Sequence, residues 1–193
     1  MHRYITEMAR EHFPAGGHRS YSLPADLDLP KAVTKAVQDR DTTYADTETG
    51  KTFRRLVMQL LYASYQARPD IAAAVGFLTR VQAYPNLDLL KRAQQILLYL
   101  TDTTDLSITY KTPTGAAGYP TLALAPRVEI SGASDASFDA SHSTSGHVFL
   151  YCGAAVAWST RKQKTVALSS FEAEIVSSSE AACQAVAIRG LLG

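Results

Sequence analysis

Two acids in this sequence sit in places that ask for an explanation. Asp135 lies within Ser131-Gly132-Ala133-Ser134-Asp135-Ala136-Ser137, a run that reads as a strand, where a carboxylate opposes β-propensity and, if buried, must be paired or bind metal. Glu174 lies 39 residues further on, one turn into a helix. Two hairpin-like connections between them could bring strand and helix together. Converging carboxylates can hold Mg²⁺, a hard cation that takes oxygen ligands. On spacing alone a plainer reading stands beside this one, with Asp135 in solvent and Glu174 serving the positive end of its helix.

The remaining candidates are weaker. Arg161-Lys162-Gln163-Lys164 follows a strand and could touch nucleic-acid phosphates, each neutralised phosphate adding salt-dependent affinity, or could be a solvated turn. His142 and His147 are five apart with no Cys or helical i,i+4 partner, which argues against zinc. Trp158, in an alternating strand, reads as a core residue, with stacking on a base as the alternative. Cys152 and Cys183 cannot make a disulfide framework and read as free thiols of a reducing compartment.

The elements that must carry these residues change character along the chain. Residues 1–12 and a stretch after Pro30 (Val33, Ala36, Val37) predict short helices, and the rest of 1–50 reads as loop, rich in Pro, Asp, Thr and Gly. Residues 51–104 predict a helical subdomain. One stripe holds Leu56, Val57, Leu60, Leu61 and Ser64, and a second, opened by Pro69 and Asp70, holds Ile71, Ala74, Val75 and Leu78. A third, after Pro85, holds Leu89, Leu90, Ala93, Ile96, Leu97 and Leu100.

Residues 105–193 switch to period two. Leu106–Tyr110 alternates like a strand, a Pro- and Gly-bearing loop follows, and Val128–Ser137, Gly146–Cys152 and Ala155–Thr160 predict three more strands, the last two joined at Gly153-Ala154. Ser169-Ser170-Phe171-Glu172 has the form of a capping box and opens a helix running towards Arg189. Helices followed by strand–strand–strand–helix make the class α+β with an antiparallel sheet.

The 193 residues are 46% hydrophobic and 19% charged with a net charge of +1, which excludes a strongly basic nucleic-acid tail. Residues 1–100 carry 13 Lys/Arg and 10 Asp/Glu, and residues 101–193 carry 6 and 8, so any nucleic-acid contact must come from a local patch. No apolar run approaches the roughly 18–20 residues of a membrane span, and the N-terminus lacks a signal-peptide stretch. Together with the thiols, this implies a soluble intracellular protein with no membrane partner, cytoplasmic or nuclear.

Four ordered blocks then carry a resemblance. They are Ser134-Asp135-Ala136-Ser137, Ser143-Thr144-Ser145-Gly146-His147-Val148-Phe149, Ala157-Trp158-Ser159-Thr160-Arg161-Lys162-Gln163, and Val166-Ala167-Leu168-Ser169-Ser170-Phe171-Glu172-Ala173-Glu174. They closely resemble the ribonuclease H region of copia-type retrotransposon Pol polyproteins, which typically show S-D-A, S-T-S-G-Y-V, W-S-S-K-K-Q and V-A-L-S-S-T-E-A-E-Y in this order. Phe53-Arg54-Arg55-Leu56-Val57, Arg68-Pro69-Asp70-Ile71 and Lys91-Arg92-Ala93 resemble the connection between polymerase and ribonuclease H in the same polyproteins.

The resemblance implies a helical connection subdomain followed by a truncated ribonuclease H-like three-stranded sheet with one packed helix. It implies an ancestral two-metal hydrolysis of the RNA strand in RNA–DNA hybrids, using Mg²⁺ or Mn²⁺. Asp135 matches the first-strand aspartate and Glu174 the helix glutamate, while Glu172 fits as the capping residue and Asp139 has no role. Arg161, Lys162 and Lys164 would meet the hybrid. The family's third aspartate would fall beyond residue 193 and the polymerase's Tyr-x-Asp-Asp before residue 1, so the acidic set is incomplete and cleavage is expected to be weak or lost. The partners implied are the hybrid and the rest of the polyprotein. The rival expectation is a non-catalytic module that binds nucleic acid or a protein.

Overall fold

The computed structural model describes residues 1–14, 19–111, 130–139 and 142–192. Two compact units divide the chain, Met1–Ser107 and Ile108–Gly193.

The first unit is helical: α1 (His2–His12), α2 (Leu29–Asp39), α3 (Glu48–Gln66), a 3₁₀ turn (Pro69–Ile71), α4 (Ala72–Thr79) and α5 (Leu87–Asp102). Its helices begin where side chains satisfy otherwise unpaired amides. Thr47 accepts from the Gly50 N–H at 3.4 Å, and Asn86 accepts from the Leu89 N–H at 2.8 Å. Gly50 has no alternative, because a Cβ there would lie 2.1 Å from the Tyr44 carbonyl oxygen. The stripes read from the sequence meet in one core, in which Phe53, Leu56, Leu60, Ile71, Leu78 and Ile96 are fully buried.

Asp70 does more than favour a helix start. It binds the Arg68 guanidinium through both oxygens and accepts from the Tyr99 hydroxyl at 2.9 Å, while Arg68 also donates to the Thr103 carbonyl at 3.0 Å. Arg68 is 3% exposed, so this network is what allows a guanidinium inside the unit.

The second unit is a three-stranded antiparallel sheet in the order β1 (Ser131–Ser137), β2 (Thr144–Tyr151), β3 (Ala154–Lys162), followed by α6 (Ser170–Leu192). The architecture is therefore helices plus an antiparallel sheet, the α+β class read from the sequence. Ser169 accepts the Glu172 N–H at 3.1 Å, as its spacing suggests, but Glu172 reaches back to the Leu168 N–H at 2.7 Å, one residue earlier than a capping box prescribes.

Two expectations need correcting. Leu106–Tyr110 is not a strand: both ends of its apolar set, Leu106 and Tyr110, are half exposed, so no buried face holds an extended conformation there. The β2–β3 turn is Cys152-Gly153, with φ of 51° and 77°, one residue earlier than Gly153-Ala154. Two successive left-handed residues fit the right-handed twist of a tight hairpin, and glycine supplies the second at no steric cost. The Pro- and Gly-bearing loop and residues 128–129 lie outside the described residues. Among those described, no helix is long and apolar enough to cross a membrane.

Candidate functional site

The register decides where Asp135 points. It pairs Asp135 with Gly146, Ser134 with His147 and Gly132 with Phe149. Phe149 packs with Ala181 and Ile188 of α6, so Gly132, Ser134 and Ala136 belong to the sheet face that carries the helix. Asp135 alternates with them and its Cβ leaves on the other face. Gly146 agrees, since a Cβ there would meet the Ser159 carbonyl at 3.8 Å and no atom of α6. Asp135 is solvent-exposed.

The helix comes to the strand through its backbone. The Ser177 hydroxyl donates to the Asp135 carbonyl at 2.7 Å and lies 3.5 Å from that of Gly146, which sets α6 above the seam between β1 and β2. Glu174 is one turn before Ser177 and half-buried. At about 100° per residue it leaves α6 on the flank opposite Glu180. Glu180 is held by Arg161 of β3 at 3.1 Å, so the opposite flank overlies β1. The two carboxyl groups thus leave from the two sides of β1. Only along its outer edge, unpaired among the described residues, could one ion reach both.

Mg²⁺ demands near-octahedral oxygen coordination, and two-metal catalysis needs more carboxylates than two. Among the described residues no group of three or more His, Cys, Asp or Glu is placed to hold a metal ion. The residues described therefore do not complete a site for Mg²⁺ or Mn²⁺.

The basic run splits into different roles. Arg161 is tied to Glu180, Gln163 is buried, and Lys162 and Lys164 are exposed. His147 is half-buried beside the Phe149 ring, 5.6 Å away; burial, and then the Arg161 charge, push its pKa below the usual value despite the opposing pull of Glu180. An imidazole kept neutral in this way is no counter-charge for phosphate. Trp158 pairs with Val148 on the face away from α6 and is half-buried, outside the Phe149 core.

Gln163 is the residue that the sequence conceals. Its amide donates to the Ser145 hydroxyl at 2.9 Å and to the Ala173 carbonyl at 2.8 Å, locking β3 and β2 to the first turn of α6, while its Oε1 is buried without a partner among the described residues. Sitting between two lysines it reads as part of a solvated turn. The available signal was alternation, because Lys162 and Lys164 flank it as a strand's outward residues would.

Known proteins narrow the origin of this arrangement. No family model matches the chain, and no solved structure matches it. The putative transposon Ty5-1 protein of Saccharomyces cerevisiae is 32% identical over 141 residues, 72% of this chain and 43% of that protein. The retrovirus-related Pol polyprotein from transposon TNT 1-94 of Nicotiana tabacum is 32% identical over 124 residues, 64% of this chain and 9% of the polyprotein. The secreted RxLR effector protein 161 of Plasmopara viticola is 36% identical over 129 residues, 66% of this chain and 84% of the effector. The chain thus spans less than half of either transposon relative. The sequence blocks, their order and the two transposon relatives agree, and the chain belongs to the copia-type retrotransposon Pol polyprotein family.

Proposed function

We propose that residues 108–193 are a ribonuclease H-like module that recognises RNA–DNA hybrid but, with the acids described, cuts it weakly or not at all. The observation that carries the reading is the Ser177–Asp135 hydrogen bond, which lays α6 across β1 so that Glu174 overlies the strand bearing Asp135. Exposed Lys162 and Lys164 at the end of β3 would meet backbone phosphates, whereas Arg161 is already engaged by Glu180.

The test is a labelled RNA–DNA duplex incubated with the chain in Mg²⁺ or Mn²⁺, with binding and cleavage read separately. The expected result is salt-sensitive binding, weakened at least several-fold by Lys162→Glu with Lys164→Glu, and little product. Robust turnover that vanishes in Asp135→Asn overturns the incomplete-site reading. Absence of binding overturns hybrid recognition.

A second reading rests on the Plasmopara relative, 84% of which this chain matches, so a protein of little more than this segment exists outside a polyprotein. On that reading the segment serves as a protein-interaction module. It predicts no preference for hybrid over any other polyanion in the same assay.

A further inference from the structure

The three acids of α6 are used in three different ways. Glu172 accepts from the Leu168 N–H at the helix start, and Glu174 leaves on the β1 flank. Glu180 turns to β3, where its two oxygens meet two nitrogens of Arg161, Nη2 at 3.1 Å and Nε at 3.3 Å. Arg189 is the one base on α6 and lies two and a half turns further along, so nothing on the helix itself competes for Glu180. His147 pairs with Ser159, two residues from Arg161 on the same face of the sheet. Burial and the Arg161 charge keep its imidazole neutral, so it offers Glu180 no second cation.

The pair is not needed to fasten the helix. Ser177 already ties α6 to the Asp135 carbonyl, and Gln163 ties its first turn through the Ala173 carbonyl. The two partners are also unequally placed. The Glu180 side chain is 23% exposed and rests beside the sheet, whereas that of Arg161 is 56% exposed and has solvent to move into. An arginine fork grips the two oxygens of a carboxylate and those of a phosphate in the same manner.

We propose that Arg161 is a phosphate-binding group held in reserve, and that Glu180 is the internal anion occupying its fork. The proposal rests on the hybrid binding put forward above and adds its regulation. With the pair closed, Lys162 and Lys164 carry the phosphate contacts, and Arg161 joins them only by exchanging one anion for another. Arg161 and Lys162 are neighbours on β3, about 3.3 Å apart in rise, and although they leave on opposite faces both are long enough to meet a backbone at the strand's end. A half-exposed ion pair is a weak hold, so the exchange costs little. Glu180 therefore sets how tightly, and with what sensitivity to salt, this unit grips a polyanion.

The experiment is a double-mutant cycle on the full 193-residue chain, read as affinity for an RNA–DNA duplex across a salt series. Glu180→Gln is expected to tighten binding several-fold at low salt. It should also steepen the dependence of log affinity on log salt by about 0.9, the increment of one added phosphate contact. Arg161→Gln should cost little in the unsubstituted chain and several-fold in the Glu180→Gln chain. Trp158 fluorescence checks that each variant is folded; a pair that merely fastened the helix would shift that unfolding transition and leave the salt slope alone. A parallel cycle with inorganic polyphosphate reads the fork without asking for hybrid. Hybrid binding whose affinity and salt slope ignore Glu180→Gln overturns the proposal and leaves hybrid recognition standing, as does a gain that persists in full when Arg161→Gln is added. An Arg161-dependent gain on polyphosphate without binding of hybrid upholds the fork and overturns hybrid recognition. Binding of neither probe by any variant overturns both.

Discussion

The two units solve the problem of stability by different means. Residues 1–107 bury large aliphatic and aromatic side chains from every helix around Phe53, Leu56 and Leu60. Residues 108–193 bury Phe149, Ala181 and Ile188, and alongside them the polar Ser143, Ser145, Gln163 and Ser177. Apolar area removed from water is the main favourable contribution to folding, so the first unit has ample stabilisation of its own. The second leans on hydrogen bonds, each of which contributes only about 1 kcal/mol net.

That contrast can be pressed by experiment. Phe53→Ala, in the middle of the larger core, should cost the helical unit about 3–5 kcal/mol in chemical denaturation followed by circular dichroism. Trp158 is the sole tryptophan and lies in the sheet unit, so its fluorescence reports that unit directly. In the unsubstituted chain the fluorescence transition should come at lower denaturant than the helical one; the reverse order would dissolve the contrast.

Asp70→Ala should cost about 1–3 kcal/mol, because it removes the acceptor of a buried guanidinium. The same pair gives the helical unit a pH signature. Burial alone would raise the Asp70 carboxyl, but the Arg68 guanidinium and the Tyr99 hydroxyl outweigh it and hold the group below the usual carboxylate range. A folded value below the unfolded one means that the contribution is complete above about pH 4 and is lost as pH falls through the folded value. Acid titration of the Asp70→Ala variant should therefore lack part of the loss seen in the unsubstituted chain below pH 4. An identical acid profile would remove the pair from the account.

The smallest effect is expected at the entrance to α6. Ser169→Ala deletes the acceptor for the Glu172 N–H and should destabilise the sheet unit by about 1 kcal/mol, read as an earlier Trp158 transition. No shift would mean that the helix is held by the sheet alone.

The helical unit was the more legible of the two because its information is periodic. Leu56, Leu60, Ile71, Leu78, Leu89 and Ile96 repeat at helical spacing, and each is buried. The sheet hid more. The alternation of Leu106–Tyr110 mimics a strand but has no covered face to turn inwards. Gln163 looks like a solvated residue because nothing in Arg161-Lys162-Gln163-Lys164 foretells the Ala173 carbonyl waiting above it. Asp70 announced a helix start and gave no sign of its tie to Arg68, which depends on Tyr99 and Thr103 about thirty residues away arriving at the same place. At the candidate site, the sequence named Asp135 and Glu174, and the element types around them follow from it. The faces from which they leave depend on which side of the sheet α6 covers, a tertiary choice that one strand's pattern does not encode.

The Phe149 ring carries one more implication. It lies so close over Gly132 that a Cβ on that glycine would sit 2.4 Å from a ring carbon. The largest side chain in the sheet unit's core is thus seated on bare backbone, and the two positions share one allotment of volume. Among descendants of this hairpin they are expected to covary, a bulkier residue at 132 arriving only with a smaller one at 149.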